Sequence, residues 1–467
     1  MNPRAPALVA AIVGGLSFAT IGCSSGRNPP SPPATVQQVC FPGEALPTCY
    51  FNVVLDFTSS SHREVGRQYA QAIVQAMPDY EATADYLLAL HVVLAQLADS
   101  RLTFDFVLAR AKTLHENGSL PVDYGDEIAG MQDVFDYPVD KLGDGRLSRN
   151  EMLVFQYLSE VVRPHSCSVS AVTGNSSATG KTLFGRNWDW LTVTSWGLGN
   201  LHAITTYRDG GKTIATIGSL GTLYALTVFN QHHLAGAIVN STNSEVKYPE
   251  DLSTRRSFFF DLRFAFENYA SLTDVVNFMK AEDRRYVYNH LIFVADPSTA
   301  GVVENQVNNK DGPGQGNRSF RIDSSPLNPV LSEYPKQTWG YLGAFAAVND
   351  FRLPGNVWKT TDEGNKARWR SFRDLYAGVP SGQRFDIETL KAITGYPGPD
   401  GDGVMANGAI FNSEGQLQQT TAADSTMQSI LMDMSTMELW IHFTPPTAPW
   451  ARPPLRPTYR KIANPIY

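Results

Sequence analysis

The feature that most limits what this chain can become is a change of texture near residue 166. Up to Val162, apolar residues recur three and four apart; from Cys167 onward, short β-prone runs alternate with turns. "SHREVGRQYAQAIVQAM", "YEATADYLLALHVVLAQLA", "FDFVLARAKTLHENG" and "SRNEMLVFQYLSEVV" predict helices between residues 61 and 162. The last opens on Ser148 and Glu151, spaced as a capping box. "CSVSAVTG", "KTLFGRNW", "LHAITTYRDGGKTIATIG" and "LYALTVFNQHHLAGAIVN" predict strands, with Asp209-Gly210-Gly211 turning a hairpin. Helices are expected again at "SFFFDLRFAFENYA" and "SLTDVVNFMKAE", then around 363–378 and 385–394. Strands are expected at "NHLIFVAD" and "GVVENQ", and in a last hairpin turning at Ser435-Thr436. The proline-rich end from Thr444 reads as a wrapping tail. This segregation predicts an α+β architecture of antiparallel sheets covered by helices.

The first residues read as export machinery. One positive charge, Arg4, precedes an uncharged run from Ala5 to Gly22, and "TIGCSS" sets a cysteine behind a small residue. Residues 1–22 are therefore expected to be a lipoprotein-like signal peptide, with Cys23 lipidated. An ordinary cleaved signal and a short anchor are the alternatives. The expected location is the bacterial cell envelope, by a lipid anchor in a membrane, or else periplasmic or secreted. Residues 23–38, "CSSGRNPPSPPATVQQ", read as a Pro/Ser-rich tether. A net charge of −7 without a basic stripe excludes nucleic acid as a partner.

Export permits disulfides, and of four cysteines Cys40 and Cys49 are close enough to pair. With Cys23 taken by lipid, Cys167 is the thiol left over. A buried inert cysteine is one reading of it. The other begins with a cut between Ser166 and Cys167, which would place a thiol and a free α-amine on one residue. An α-amine titrates at about 7.7–8.0 and a thiol at about 8.5, so the amine can serve as base to its own side chain.

Cys167 followed by "TGKTLFGRNWDW" resembles the Cys-type N-terminal-nucleophile hydrolases, the group of acyl-coenzyme A:isopenicillin N acyltransferase, choloylglycine hydrolase and acid ceramidase. "LYALTVFNQHHLAGAIVNST", "NHLIFVADPSTAGVVENQ", "AAVNDF" and "RWRSFRDL" continue the resemblance in order over about 167–445. It implies a four-layer αββα sandwich. A helical α-chain, 39–166, would stay bound after the cut to a β-chain, 167–467. Cys167 would be nucleophile and base, with Arg186 and Asp189 steadying the thiolate and the α-ammonium. On an ideal strand, residues three apart face opposite ways, so the strand must end or bulge near Trp188. Asn240 would donate to the oxyanion and Asn349 complete the polar ring. Arg370 is assigned to the arginine-bearing helix, with Arg368 and Arg373 competing for the place.

The function implied is an autoproteolytic amidase cleaving a linear non-peptide amide of N-acyl amine type through a thioester, with no cofactor and no metal. The partners expected are a small acyl-amide substrate and the cleaved α-chain. An acyltransferase passing the acyl group to an amine is the nearest alternative, and a non-catalytic binding lipoprotein a second. His165 and the pair His232-His233 raise a Cys–His protease, without the residue order of one. "DKLGDGRLSRNE", residues 140–151, has the outline of a calcium loop, but Leu142 stands at a ligand position and the capping box explains Ser148 and Glu151.

Overall fold

The computed structural model describes residues 32–43, 48–162, 166–190, 195–241, 251–306, 308–309, 312–313, 318–322, 343–351, 363–396, 410–411, 417–418, 426–446 and 457–467. The signal segment, Cys23 and His165 lie outside them. From Pro33 onward the chain forms one compact unit. It opens with a hairpin of β1 (Ala34–Cys40) and β2 (Cys49–Asp56), closed by the Cys40–Cys49 disulfide. Then come α1 (His62–Ala76), α2 (Tyr80–Ala98), α3 (Phe104–Glu116), α4 (Val122–Gln132) and α5 (Arg149–Val161). Each of the four helices that the periodicity predicts is among them. Ser61 caps α1 by accepting from the Glu64 N–H, and Ser148 and Glu151 make the expected reciprocal box on α5.

Next are β3 (Ser166–Val172), β4 (Leu183–Asp189), the short α6 (Ser195–Leu198), β5 (His202–Asp209), β6 (Lys212–Ser219), β7 (Thr227–Asn230) and β8 (Ala235–Asn240). The β5–β6 turn has φ of 52° at Gly210 and 86° at Gly211, a backbone that L side chains resist, which is why two glycines stand there. The chain continues through α7 (Phe258–Asn268), α8 (Leu272–Lys280), β9 (His290–Ala295), β10 (Ala300–Asn305), a two-residue ladder of β11 (Asn308–Asn309) with β12 (Gly312–Pro313), β13 (Arg318–Ile322) and β14 (Ala344–Val348). It ends with α9 (Glu363–Ala377), α10 (Ile387–Thr394), a second short ladder of β15 (Ile410–Phe411) with β16 (Leu417–Gln418), then β17 (Thr426–Asp433), β18 (Glu438–Phe443) and β19 (Arg460–Ile462).

Two large sheets result. The first has nine strands in the order β1-β2-β5-β6-β7-β8-β9-β10-β13; the second has six, β14-β3-β4-β17-β18-β19. They face each other through β3 against β8 and β10 against β14. Helices α1, α7 and α8 cover the outer face of the first sheet, and α9 and α10 that of the second. The layers are thus helix, sheet, sheet, helix, the αββα order expected above. Every pairing in the large sheets is antiparallel except β2 with β5.

Two expectations need correction. Strand β1 starts at Ala34, inside the stretch 23–38 read as a tether. The segment before Cys167 is also not purely helical, since β1 and β2 extend the nine-stranded sheet through the β2–β5 pairing. Beyond Thr444, the described residues include β19, which pairs with β18 and forms one edge of the second sheet.

Candidate active site

Cys167 is the second residue of β3, where that strand leaves the helical segment. It pairs with Trp188 of β4 and is 1% exposed. Its main-chain N–H donates to Asn349 Oδ1 at 2.7 Å. Its Sγ lies 3.7 Å from Arg186 Nη2, which also donates to the Ile238 carbonyl of β8 at 3.1 Å. Arg186 therefore points into the gap between the sheets, fully buried, with Nε and Nη1 lacking a hydrogen-bond partner.

Asp189 ends β4 and faces the other way. Its Oδ2 accepts from Arg368 Nη2 at 2.6 Å and its Oδ1 from Thr426 Oγ1 at 2.5 Å. The problem of residues three apart is solved by a division of labour. Arg186 reaches the thiol with its side chain, and Asp189 turns its carboxylate to Arg368 and Thr426. β4 stays in register with β3 through Trp188 and Asp189, so the end or bulge expected near Trp188 does not occur on β4; the bulge lies on its other neighbour, β17, between Thr426 and Gln428.

Asn349 joins the parts. Its Oδ1 accepts from Cys167 N and, at 3.3 Å, from Arg368 Nη1, and its Nδ2 donates to the Asn240 carbonyl at 2.6 Å. Asn240 closes β8, 5% exposed, with its side-chain Oδ1 unpartnered. Burial pushes the Cys167 thiol above its ordinary value; Arg186 opposes that rise and Asp189 adds to it. The thiol is therefore protonated at neutral pH in the intact chain and needs a base. Burial also raises the Asp189 carboxyl, with Arg368, Thr426 and Arg186 pulling it back.

Of the three arginines on α9, Arg368 makes the contact with Asp189, so the arginine place assigned to Arg370 passes to Arg368. Arg370 is buried two positions on, about 200° around the helix, and Arg373 pairs with Asp374. Thr426 carried no sequence signal at all. His232 and His233 sit in the turn between β7 and β8, with the His233 ring edge-on to Tyr467. The calcium-like loop is built around an anion instead: Asp85 accepts from the amides of Gly143 (2.8 Å) and Gly145 (2.6 Å). Among the described residues, no group of three or more His, Cys, Asp or Glu is arranged to hold a metal ion. A cleft of about 550 Å³ opens between α9 and α10, lined by Leu375, Val379, Ile393 and Tyr396 among others, and none of the residues around Cys167 lines it.

No protein-family model matches the chain, and no curated protein does. Solved structures are similar to it at low identity. The Caenorhabditis elegans N-acylethanolamine-hydrolyzing acid amidase ortholog is 15% identical, with 57% of this chain and 93% of that chain covered at a TM-score of 0.37. A mutant of conjugated bile acid hydrolase from Clostridium perfringens is 14% identical, covering 59% and 89% at 0.35. Penicillin V acylase from Agrobacterium tumefaciens is 11% identical, covering 59% and 83% at 0.32.

Proposed function

We propose that this chain is an autoproteolytic amidase of the Cys-type N-terminal-nucleophile class, acting on linear N-acyl amines. The observation that carries the reading is the double engagement of Cys167, its main-chain nitrogen on Asn349 Oδ1 and its sulfur beside Arg186. A site that holds both atoms of one residue suits chemistry in which both take part. In maturation, Sγ attacks the Ser166 carbonyl carbon; the Ser166–Cys167 C–N bond breaks and a thioester forms. Water then opens the thioester, leaving a carboxylate on Ser166, a free thiol and a free amine. In turnover, that amine takes the thiol proton and Sγ attacks the substrate amide. Asn240 donates to the oxyanion, and the proton passes from the amine to the departing substrate amine. Water releases the acid. Arg186 offers its open donors to the developing charge, and Asp189, held by Arg368, and Asn349 orient the α-ammonium.

The test is the cut itself. Purified protein should yield a fragment whose N-terminal sequence reads Cys-Ser-Val-Ser-Ala-Val, and thiol alkylation should abolish hydrolysis of N-acyl amines. Cys167→Ala should stay one inactive chain. Full activity in Cys167→Ala removes the assignment, and an intact yet active wild type removes the terminal-amine mechanism. Added amines separate hydrolysis from acyl transfer, since a transferase returns the acylated amine as its main product. We further propose that Cys23 carries a lipid that anchors the enzyme in the cell envelope. Cys23→Ala should then move activity from the membrane to the soluble fraction; retention on the membrane without attached lipid counts against the anchor.

A further inference from the structure

The antiparallel ladder between β4 and β17 is regular from Leu183↔Asp433 to Trp188↔Gln428, and then slips by one residue, so that Asp189 opposes Thr426. Met427 is the extra residue. Without the slip, Met427 would lie opposite Asp189 and a thioether would stand where the hydroxyl now does. A β-bulge of this kind re-aims a side chain at a cost in ladder bonding, and the cost here is offset locally. Thr444 binds the bulge from both sides: its N–H donates to the Met427 carbonyl at 3.0 Å, and its Oγ1 to the Thr426 carbonyl at 2.6 Å. The Thr444 carbonyl in turn accepts from His202 Nε2 at 2.8 Å, while His202 Nδ1 accepts from Gln428 Nε2 at 3.2 Å. Burial lowers His202 to about 4, so it stays neutral in this tautomer. A chain of hydrogen bonds anchored on β5, in the other sheet, thus ends on the main-chain carbonyl of Thr426, the residue whose Oγ1 makes the 2.5 Å bond to Asp189.

We propose that Thr426 is a positioning residue for the Cys167 centre, fixing the Asp189 carboxylate from the side opposite Arg368. This rests on the functional reading above and deepens it. Asp189 is bonded by Arg368 from α9 and Thr426 from β17, and the other ionisable groups acting on it are Arg186 from β4 and Cys167 from β3. Only Thr426 is a neutral donor whose removal leaves every charge in place. With two donors, one on each oxygen, the carboxylate has one orientation. With Arg368 alone it can rotate, and the α-ammonium of Cys167 loses its reference.

The experiment compares wild type, Thr426→Val and Thr426→Ser in the full chain, with Cys167→Ala as reference. Autocleavage rate, kcat, KM and the acid limb of the pH–rate profile are measured. Thr426→Val keeps shape and removes the hydroxyl; it should lower cleavage rate and kcat by about 10- to 100-fold, the worth of one hydrogen bond to a charged group, with KM within about twofold of wild type. A lost donor to the ionised carboxylate raises its pKa, so the acid limb should move to higher pH. Thr426→Ser should restore both. If Thr426→Val does not reach the wild-type melting temperature, Thr426→Ala is read in its place. Wild-type rates and pH profile in Thr426→Val, or equal losses in the Val and Ser variants, overturn the proposal while the cysteine mechanism stands. Loss of the difference between wild type and Cys167→Ala overturns both.

Discussion

At the residue scale, burial sets the protonation of the groups on either side of the proposed cut. Glu160, on α5 just ahead of Cys167, accepts from the Phe258 N–H at the start of α7 (2.8 Å), and burial pushes its carboxyl up to about 8. The sign follows from linkage. Between its ordinary value of 4.5 and about 8, the folded chain holds a proton that the unfolded chain has released, so stability falls as pH rises through that window. Glu160→Gln in the uncut Cys167→Ala background should flatten this slope; denaturant midpoints at pH 5 and pH 8 measure it, and an unchanged slope counts against the assignment. What was legible at this scale followed chemistry type. Cys167, Arg186, Asp189, Asn240 and Asn349 stand in recognisable motifs, and the structure gathers them. The sequence points to Arg370 where the structure uses Arg368, because α9 is buried on several sides at once. Ala367, Arg368, Trp369, Arg370 and Phe372 are all inside, so burial does not single out one arginine of the helix.

At the element scale, β4 is held by how closely α10 approaches it. A Cβ on Gly185 would sit 2.1 Å from Thr394 Oγ1, and the same α10 end takes Asn187 Nδ2 on the Thr394 carbonyl at 2.8 Å. Gly185→Ala should therefore destabilise by about 1–3 kcal/mol through overpacking and displace the strand that carries Arg186 and Asp189. Adding Thr394→Ala should return most of the melting temperature; failure of this rescue would mean that the contact is not the cause. The predicted elements mostly form, since capping boxes, glycine turns and long periodic runs are local signals. The β1–β2 hairpin was missed for a nonlocal reason. Strand β1 is an edge strand with most positions exposed or half-exposed, so its sequence needs little alternation, and only pairing with β5 through β2 makes it part of a sheet. The bulge at Met427 was likewise invisible, because no glycine marks it.

At the scale of the whole molecule, the segments before and after Cys167 share one interior. Arg263 of α7 is sandwiched between the rings of Tyr124 and Tyr207, 4.2 and 4.1 Å from their centroids, and binds Glu127 of α4 at 2.5 and 2.8 Å. Glu127 also takes His62 Nδ1 at 2.8 Å. Arg263→Met should cost about 3 kcal/mol in denaturant unfolding, because it strands a buried carboxylate; Arg263→Met with Glu127→Met should recover part of it. A single mutant as stable as wild type would show that the network adds nothing. The β2–β5 pairing has a consequence for the order of events. Two parallel neighbours, one closing at Asp56 and the other opening at His202, are separated by all of α1 to α6 and by β3 and β4. Contacts so distant along the chain are slow to form, and a ribosome exposes the first partner long before the second. A cut at Cys167 made before that meeting would release the hairpin and its helices as a separate molecule, and an intramolecular search would become a bimolecular one. If maturation takes this route, it has to follow the β2–β5 pairing.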